Sequence, residues 1–443
     1  MRTAALHNLG CKVNSYETEA MQQLLEEAGY EIVPFHEKAD VYIINTCSVT
    51  NIADRKSRQM LHRAKKQNPD AVVVAAGCYV QAAAEELKAD LAVDVIIGNN
   101  KKQDLLPILE EYFKDKSDSS HVIEISETHE YERLSIHKIA DHTRAFLKIQ
   151  DGCNQFCSYC IIPYTRGRVR SRRPDEVVAE VRELAAAGYQ EVVLTGIHLS
   201  SYGVDFKEEE KKENLLSLIK QVHEVEGIRR IRLGSLEPRI ITEEFAQALA
   251  SMPKFCPHFH LSLQSGCDKT LKRMNRHYTT EEYAAGCEIL RRYFDNPAIT
   301  TDVIVGFPGE TEEEFEETKA FLERIGFYEM HIFKYSRRAG TRADRMPEQV
   351  PEQVKSVRSE VLLKLEKQMS KAYRESFSGK KKTVLLEEKT EIGGRAYMIG
   401  HTMEYVKAVV PYADNLKNKM TEGILKEALN DEVLLLDSRN FLN

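Results

Sequence analysis

Residues 151–168 read DGCNQFCSYCIIPYTRGR and place Cys153, Cys157 and Cys160 at intervals of four and three. No fourth cysteine lies nearby, and arginines follow at once, at 166, 168, 170, 172 and 173. Structural zinc takes four protein ligands, so a zinc site here would have to recruit His198 or His142. Buried, metal-free thiols are the ordinary reading of isolated cysteines. Three of them within eight residues, on a loop rich in Gly, Asn and Ser, are not isolated. A [4Fe–4S] cluster accepts three thiolates and leaves its fourth iron to a non-protein ligand. The spacing, with Tyr159 before the last cysteine, favours that cluster.

Working outward, the stretch follows the first strand candidate of an α/β unit. AFLKIQDG, EVVLTG, IRRIRLGS, HFHLSLQS, TTDVIVGF and MHIFKYS alternate with helical segments such as RPDEVVAEVRELAAAG and TEEEFEETKAFLERIG. Six strand–helix repeats imply a partial (β/α)6 barrel, open on one side, rather than a closed eight-stranded one. The cysteine loop sits at the end of its first strand. Polar residues end the later ones: Thr195 and His198, Ser235 and Glu237, Gln264 and Ser265, Glu310, then Arg337 and Arg338.

Upstream, TAALHNLG, DVYIINTC, AVVVAAGC and VDVIIG alternate with amphipathic stretches, the pattern of an open, mostly parallel α/β sheet. Cys11, Cys47 and Cys78 each lie just past one of these strands. That edge is where open α/β sheets carry crevices and ligands. Three residues far apart in sequence can therefore converge, and a second three-thiolate cluster would again leave an iron open. Downstream, a charged helix near 352–375 ends at Ser378-Gly379. Beyond it the period falls to two, in KKTVLLEE, GRAYMIGH, YVKAVVPY and EVLLLDS, which implies a small β-barrel. The division expected is 1–120, 141–375 and 378–440, with a less apolar connector over roughly 114–141. The fold class is α/β.

The cysteine loop resembles the radical S-adenosylmethionine (SAM) superfamily, in which the open iron binds the methionine end of SAM and its electron gives a 5′-deoxyadenosyl radical. On that resemblance Tyr159, Thr195, Gly196, Ser235, Glu237, Gln264 and Ile304 line the SAM and substrate cavity. TDVIVGFPGE resembles the strand motif that packs on adenine, with Asp302 at the usual glycine position and Glu310 one place late. Two cysteine triads ahead of a small barrel resemble the methylthiotransferases, whose last domain is a TRAM domain. LGCKVNSYE, NTCSVTNIADRKSR, LQSGCDKTLKRMNRHYT and FKYSRRAGT extend the match over nearly the whole chain. NTCSVT with ADRKSR, and TGIHLSSYG, are most similar to the branch that acts on threonylcarbamoyladenosine. The resemblance implies two [4Fe–4S] clusters at Cys11, Cys47 and Cys78 and at Cys153, Cys157 and Cys160, with SAM as cosubstrate. It implies methylthiolation of C2 of N6-threonylcarbamoyladenosine at position 37 in the anticodon loop of tRNA. The partners implied are an electron donor such as flavodoxin or ferredoxin and a sulfur source. The alternatives are isopentenyladenosine-37 as substrate, a ribosomal protein as substrate, or a non-catalytic iron–sulfur protein that binds RNA or senses redox state.

The 443-residue chain carries a formal charge of -7, so a polyanion partner requires local clustering of cations. Arg166, Arg168, Arg170, Arg172 and Arg173 form one candidate patch for RNA. Arg55, Lys56, Arg58, Arg63, Lys65 and Lys66 form a second, and Lys380, Lys381 and Lys382 a third. Tyr397 and Tyr405 are candidate stacking platforms. Arg337 and Arg338, with His198, Ser200 and Ser201, are candidates for recognising the threonylcarbamoyl group. Cys256, Cys267 and Cys287 carry no assigned chemistry. No apolar run is long enough to span a bilayer, and nine cysteines are an odd number for a disulfide scaffold; a cytoplasmic protein is expected.

Overall fold

The computed structural model describes residues 1–116, 120–136, 143–207 and 212–438. His142 and residues 439–440 lie outside these. The first unit is a six-stranded, all-parallel sheet in the order β2-β1-β3-β4-β5-β6. Its strands are β1 (Thr3–Asn8), β2 (Glu31–Ile32), β3 (Val41–Thr46), β4 (Val72–Gly77), β5 (Val95–Ile97) and β6 (Ser120–His121). Val41, Ile43, Val72, Val74 and Ala76 point to one buried face, and Tyr42, Ile44, Val73 and Ala75 to the other. Burial on both faces accounts for the continuous apolar runs. The edge strands β2 and β6 have two residues each, too short to leave a periodic signal.

The second unit has six parallel strands: β7 (Arg144–Asp151), β9 (Glu191–Gly196), β10 (Arg230–Leu233), β11 (His258–His260), β12 (Ala298–Val305) and β13 (Glu329–Lys334). A two-residue antiparallel strand, β8 (Arg170–Ser171), flanks β7. Single parallel bridges, Ile231 to Phe255 and Leu236 to Leu261, join the β10 side to the β11 side. Alternate residues pack outward into one large core that includes Leu147, Val192, Leu233, Phe259 and Val303. The other residues line a lumen.

Helix α1 (Lys12–Glu27) is shared by both units. Met21 and Leu25 pack under the first sheet, while Tyr16 and Ala20 belong to the barrel core. The connector is a strap, not a loose linker: Leu134 and Ile136 are buried in the barrel core, and the Leu134 carbonyl accepts from the Tyr16 hydroxyl at 2.5 Å.

The third unit is a closed barrel, β14-β15-β16-β18-β17. It comprises β14 (Lys381–Ile392), β15 (Arg395–His401), β16 (Lys407–Pro411), β17 (Met420–Ala428) and β18 (Leu434–Asp437). Sequence patterning missed β17, because its inward residues include Thr421 and Gly423, which carry no apolar alternation. Tyr405, expected as an RNA platform, is instead packing. It stacks between His258 and His401, with ring centroids at 4.7 and 4.5 Å, and the Arg144 and Arg232 guanidiniums lie over its ring. The small barrel therefore plugs the lower end of the lumen. No helix among the described residues is long and apolar enough to cross a membrane.

Candidate functional site

The strand order places β1, β3 and β4 side by side, so Cys11, Cys47 and Cys78 all lie at the same end of three neighbouring strands. Gly10 makes the close approach possible. Its φ is +106°, and a Cβ there would come within 2.9 Å of Cys47 Sγ. Cys47 and Cys78 are buried, whereas Cys11 is open to solvent yet ringed by protein, which pushes its thiol pKa up.

The second triad sits on the loop after β7. Gly152 (φ +69°) lets that loop pass the Arg168 carbonyl, which a Cβ would meet at 1.8 Å. The 273–276 segment staples it from the other side: Ser158 N–H donates to the Met274 carbonyl at 2.9 Å, and Asn275 donates to the Gln155 and Phe156 carbonyls. Cys153, Cys157 and Cys160 border a cleft of about 130 Å³, with Tyr159, Ser235, Glu237, Gln264, His198, Ser262 and Arg276 on its walls. Thr195 and Gly196 end β9 just before Ile197 and His198, which line the cleft. Ile304, near the end of β12, packs in the cluster that holds Tyr159 and Phe307. Gln264 holds a left-handed backbone, φ +72°, while its N–H bonds the Asp302 carbonyl at 2.8 Å.

These thiols suit an iron–sulfur cluster. Burial pushes Cys153 up to about 11, and Cys47 and Cys160 up to about 12, so without metal they are protonated, whereas a coordinating metal deprotonates its thiols. N–H donors are already aimed at sulfur. Arg276 Nη1 stands 3.3 Å from Cys157 Sγ, the Gln155 N–H 3.5 Å from Cys153 Sγ, and Arg166 Nε 3.2 Å and Asn99 Nδ2 3.6 Å from Cys78 Sγ. Such hydrogen bonds stabilise thiolate and tune a cluster. Sequence reading missed Arg276, since nothing in RMNRHYT marks it apart from neighbouring cations. His198 Nδ1 and Ser201 Oγ share a hydrogen bond of 2.7 Å, and burial lowers the imidazole to about 4.

The arginine run is mostly not an RNA surface. Arg166, Arg170 and Arg172 are buried. Arg166 bonds Glu17 at 2.9 Å, Asp151 at 3.0 Å and Asn14 at 2.7 Å. Lys148 joins Glu17 and Asp151, each at 2.8 Å, and Lys102 reaches Glu17 at 3.2 Å. Burial alone would raise the Glu17 carboxyl, but Arg166, Lys102 and Lys148 hold it well below the usual range. Arg172 pairs with Glu180, and Arg170 gives its Nη1 to the Arg166 carbonyl. Only Arg168 and Arg173 of the run reach the surface.

Arg338, expected at the substrate, is also consumed. It binds the Asp54 carboxylate and the Ser48 hydroxyl at the start of helix α2 (Asn51–Gln67), latching the barrel rim to the first sheet. Arg337 is exposed and pairs with Asp344 at 3.1 Å. Glu310 is structural, accepting from Gly306 N–H at 2.8 Å and Arg358 at 2.7 Å. Lys381 and Lys382 pair with Glu422 and Glu404. On α2, Arg55, Lys56, Arg63 and Lys66 are exposed.

The Radical SAM superfamily matches residues 147–322, and the uncharacterized protein family UPF0004 matches residues 3–98. The chain is 43% identical to the threonylcarbamoyladenosine tRNA methylthiotransferase MtaB of Bacillus subtilis, over 95% of this chain and 93% of that protein. It is 42% identical to the protein of the same name from Aquifex aeolicus, over 88% and 93%. It is 38% identical to the tRNA-2-methylthio-N(6)-dimethylallyladenosine synthase of Moorella thermoacetica, over 87% of each. In fold it resembles the radical S-adenosylmethionine methyltransferase TsrM of Kitasatospora setae, with a TM-score of 0.56 at 17% identity, over 75% of each chain.

Removing a partner from a buried charge group costs about 3–5 kcal/mol. Arg166→Ala should therefore lower stability to denaturant by about that much, whereas exposed Arg168→Ala should stay within about 0.5 kcal/mol. Anaerobic denaturant titrations followed by circular dichroism read both; equal small shifts would contradict the buried role.

Proposed function

Because this chain belongs to the radical SAM methylthiotransferases, we propose that it places a methylthio group on C2 of N6-threonylcarbamoyladenosine at position 37 of tRNA. The observation that carries this reading is the pair of three-cysteine sites, each at the strand ends of its own unit and linked through Arg166, which leaves the second cysteine loop and donates to Cys78 Sγ at 3.2 Å. Relatives at 42 and 43% identity bear names that specify threonylcarbamoyladenosine.

On this reading Cys153, Cys157 and Cys160 hold one [4Fe–4S] cluster, and Cys11, Cys47 and Cys78 a second. When bound, the first supplies the electron that cleaves SAM, and the second holds the sulfur to be transferred. An aromatic C2–H has no useful acidity, which blocks polar substitution and makes a radical route with a water-poor site physically sensible. The chain's own residues prepare that site. Arg276 donates to Cys157 and braces the Ser262 carbonyl at 3.1 Å. Arg166 and Asn99 donate to Cys78. Tyr159, Ser235, Glu237 and Gln264 wall the SAM cleft, with Thr195, Gly196 and Ile304 behind them. The Tyr405 plug closes the lumen below.

RNA then approaches over Arg55, Lys56 and Arg168 at the chamber mouth, with the small barrel, read as a TRAM domain, as a second contact. A flavodoxin- or ferredoxin-type reductant and a sulfur source complete the cycle. Replacing Arg55, Lys56 and Arg168 together by Ala removes three phosphate contacts. The slope of log affinity against log salt should then flatten by roughly two, with iron content intact. An unchanged slope moves the RNA path elsewhere.

Substrate identity is tested by nucleoside mass spectrometry of tRNA from a strain lacking this gene and from its complemented counterpart. The 2-methylthio-N6-threonylcarbamoyl nucleoside should vanish and its unthiolated precursor accumulate, while 2-methylthio-isopentenyladenosine persists. Loss of the isopentenyl product alone would overturn the substrate assignment.

A further inference from the structure

The lumen below the SAM cleft is stratified. Ser262 and Gln264 line the cleft, and beside Gln264, whose carbonyl accepts from Ile304 N–H, Ile304 of β12 faces Phe333 of β13 in register. Phe333 is 48% exposed, a large apolar ring left open to the chamber. The next layer holds His260, Asp302 and His331, with one ligand atom of each within 4.8 Å of the others. His260 Nε2 lies 3.2 Å from Asp302 Oδ2, and its Nδ1 3.0 Å from Thr300 Oγ1. Both imidazole nitrogens are thus engaged, so His260 offers no free lone pair to a metal ion. Its effect is to orient the Asp302 carboxylate, whose Oδ1 has no recorded hydrogen bond among the described residues.

Beneath lies a cationic floor. Arg230 and Arg232 share Glu191, at 3.7 and 2.8 Å, and Arg144 pairs with Glu387 at 3.1 Å. Three guanidiniums thus face two carboxylates before Lys12 is counted. Lys12 is the first residue of α1; part of its surface meets solvent, but protein otherwise surrounds it, with Tyr405, Arg232, Arg144 and Glu191 as its electrostatic neighbours. It has no recorded ion pair among the described residues. A cation at a helix N-terminus opposes the helix dipole, so local stability does not explain its position. An unbalanced positive charge in a partly desolvated chamber favours an anionic ligand.

We propose that Lys12 is the residue that receives the threonyl carboxylate of the substrate, with Asp302 accepting from the N–H or hydroxyl groups of the same side chain. This rests on the function proposed above and deepens it. The layers follow the substrate's own order: base beside Phe333, urea and hydroxyl groups at Asp302, carboxylate at Lys12. An isopentenyl group would cover Asp302 Oδ1 and Lys12 without offering a partner to either, which disfavours it. The candidates named from sequence are committed elsewhere: Arg338 to Asp54, Arg337 to Asp344, and Ser201 to His198.

Two anticodon stem-loop RNAs test this, one carrying threonylcarbamoyladenosine and the other its carboxamide, which lacks the charge but keeps the shape. Wild-type enzyme should favour the acid by roughly 10- to 100-fold in kcat/KM, with most of the difference in KM and in RNA affinity. Lys12→Gln should bring the ratio close to one, with iron content unchanged. Asp302→Asn should weaken both RNAs and preserve their ratio. If Lys12→Gln keeps the wild-type ratio, or loses the two RNAs equally, Lys12 serves the fold or the adjoining cluster, and the assignment is overturned. If the wild-type enzyme modifies neither RNA but does modify a third stem-loop that carries isopentenyladenosine, the proposed function itself fails, and the Lys12 assignment fails with it.

Discussion

The whole arrangement depends on one buried charge group. Lys102, Lys148, Arg166 and Arg170 meet Glu17, Glu132 and Asp151 in the interior. Four cations thus face three carboxylates. Arg166 Nε turns out of this group to Cys78 Sγ at 3.2 Å. Desolvating these groups is costly, and their mutual attraction repays it only while every partner stays in place. Glu17 comes from α1, Asp151 from the strand that leads into the other cysteine loop, and Arg166 from the far side of that loop. The group therefore fixes one cysteine site relative to the other. Arg338 and Asp54 form a second latch at the rim. On the proposed function a sulfur-bearing site and a radical-generating site meet one substrate atom, and loosely tethered domains would not hold that geometry.

The small C-terminal barrel has two parts in this account. One is the plug, where Tyr405 lies between two imidazoles and under two guanidiniums. Arg230 and Arg232 extend that contact by donating to backbone carbonyls of the barrel at Thr383, His401, Thr402 and Met403. The other part, as an RNA contact, is left to its outer face. The lumen is thus closed from below by protein and entered from the chamber side.

Much of this was legible in the sequence. Parallel strands buried on both faces leave continuous apolar runs, as those that lead into Cys47 and Cys78 do. The six-repeat count was readable because amphipathic helices separate the strands, the clearest of them 13 and 14 residues long. The role of the arginines was not readable. Arg166 and Arg168 are two residues apart in the same loop, yet one is wholly buried and the other exposed, because Glu17 and Asp151 arrive from distant segments. Charge runs alone cannot report that pairing. Arg276 and Lys12 escaped for a related reason: their meaning lies in what they face across the chamber, not in any local motif. Strand β17 was lost because a barrel interior accepts Thr and Gly as readily as Val.

The central claim is that the chain carries two separate three-thiolate sites, each able to hold its own cluster. Iron and sulfide analysis after anaerobic reconstitution tests it most directly, on wild-type protein and on variants lacking one triad. Wild type should bind about eight irons per chain, and either the Cys153, Cys157, Cys160 variant or the Cys11, Cys47, Cys78 variant should keep about four. Wild-type protein with only about four irons, all lost with one triad and unaffected by the other, would contradict the account.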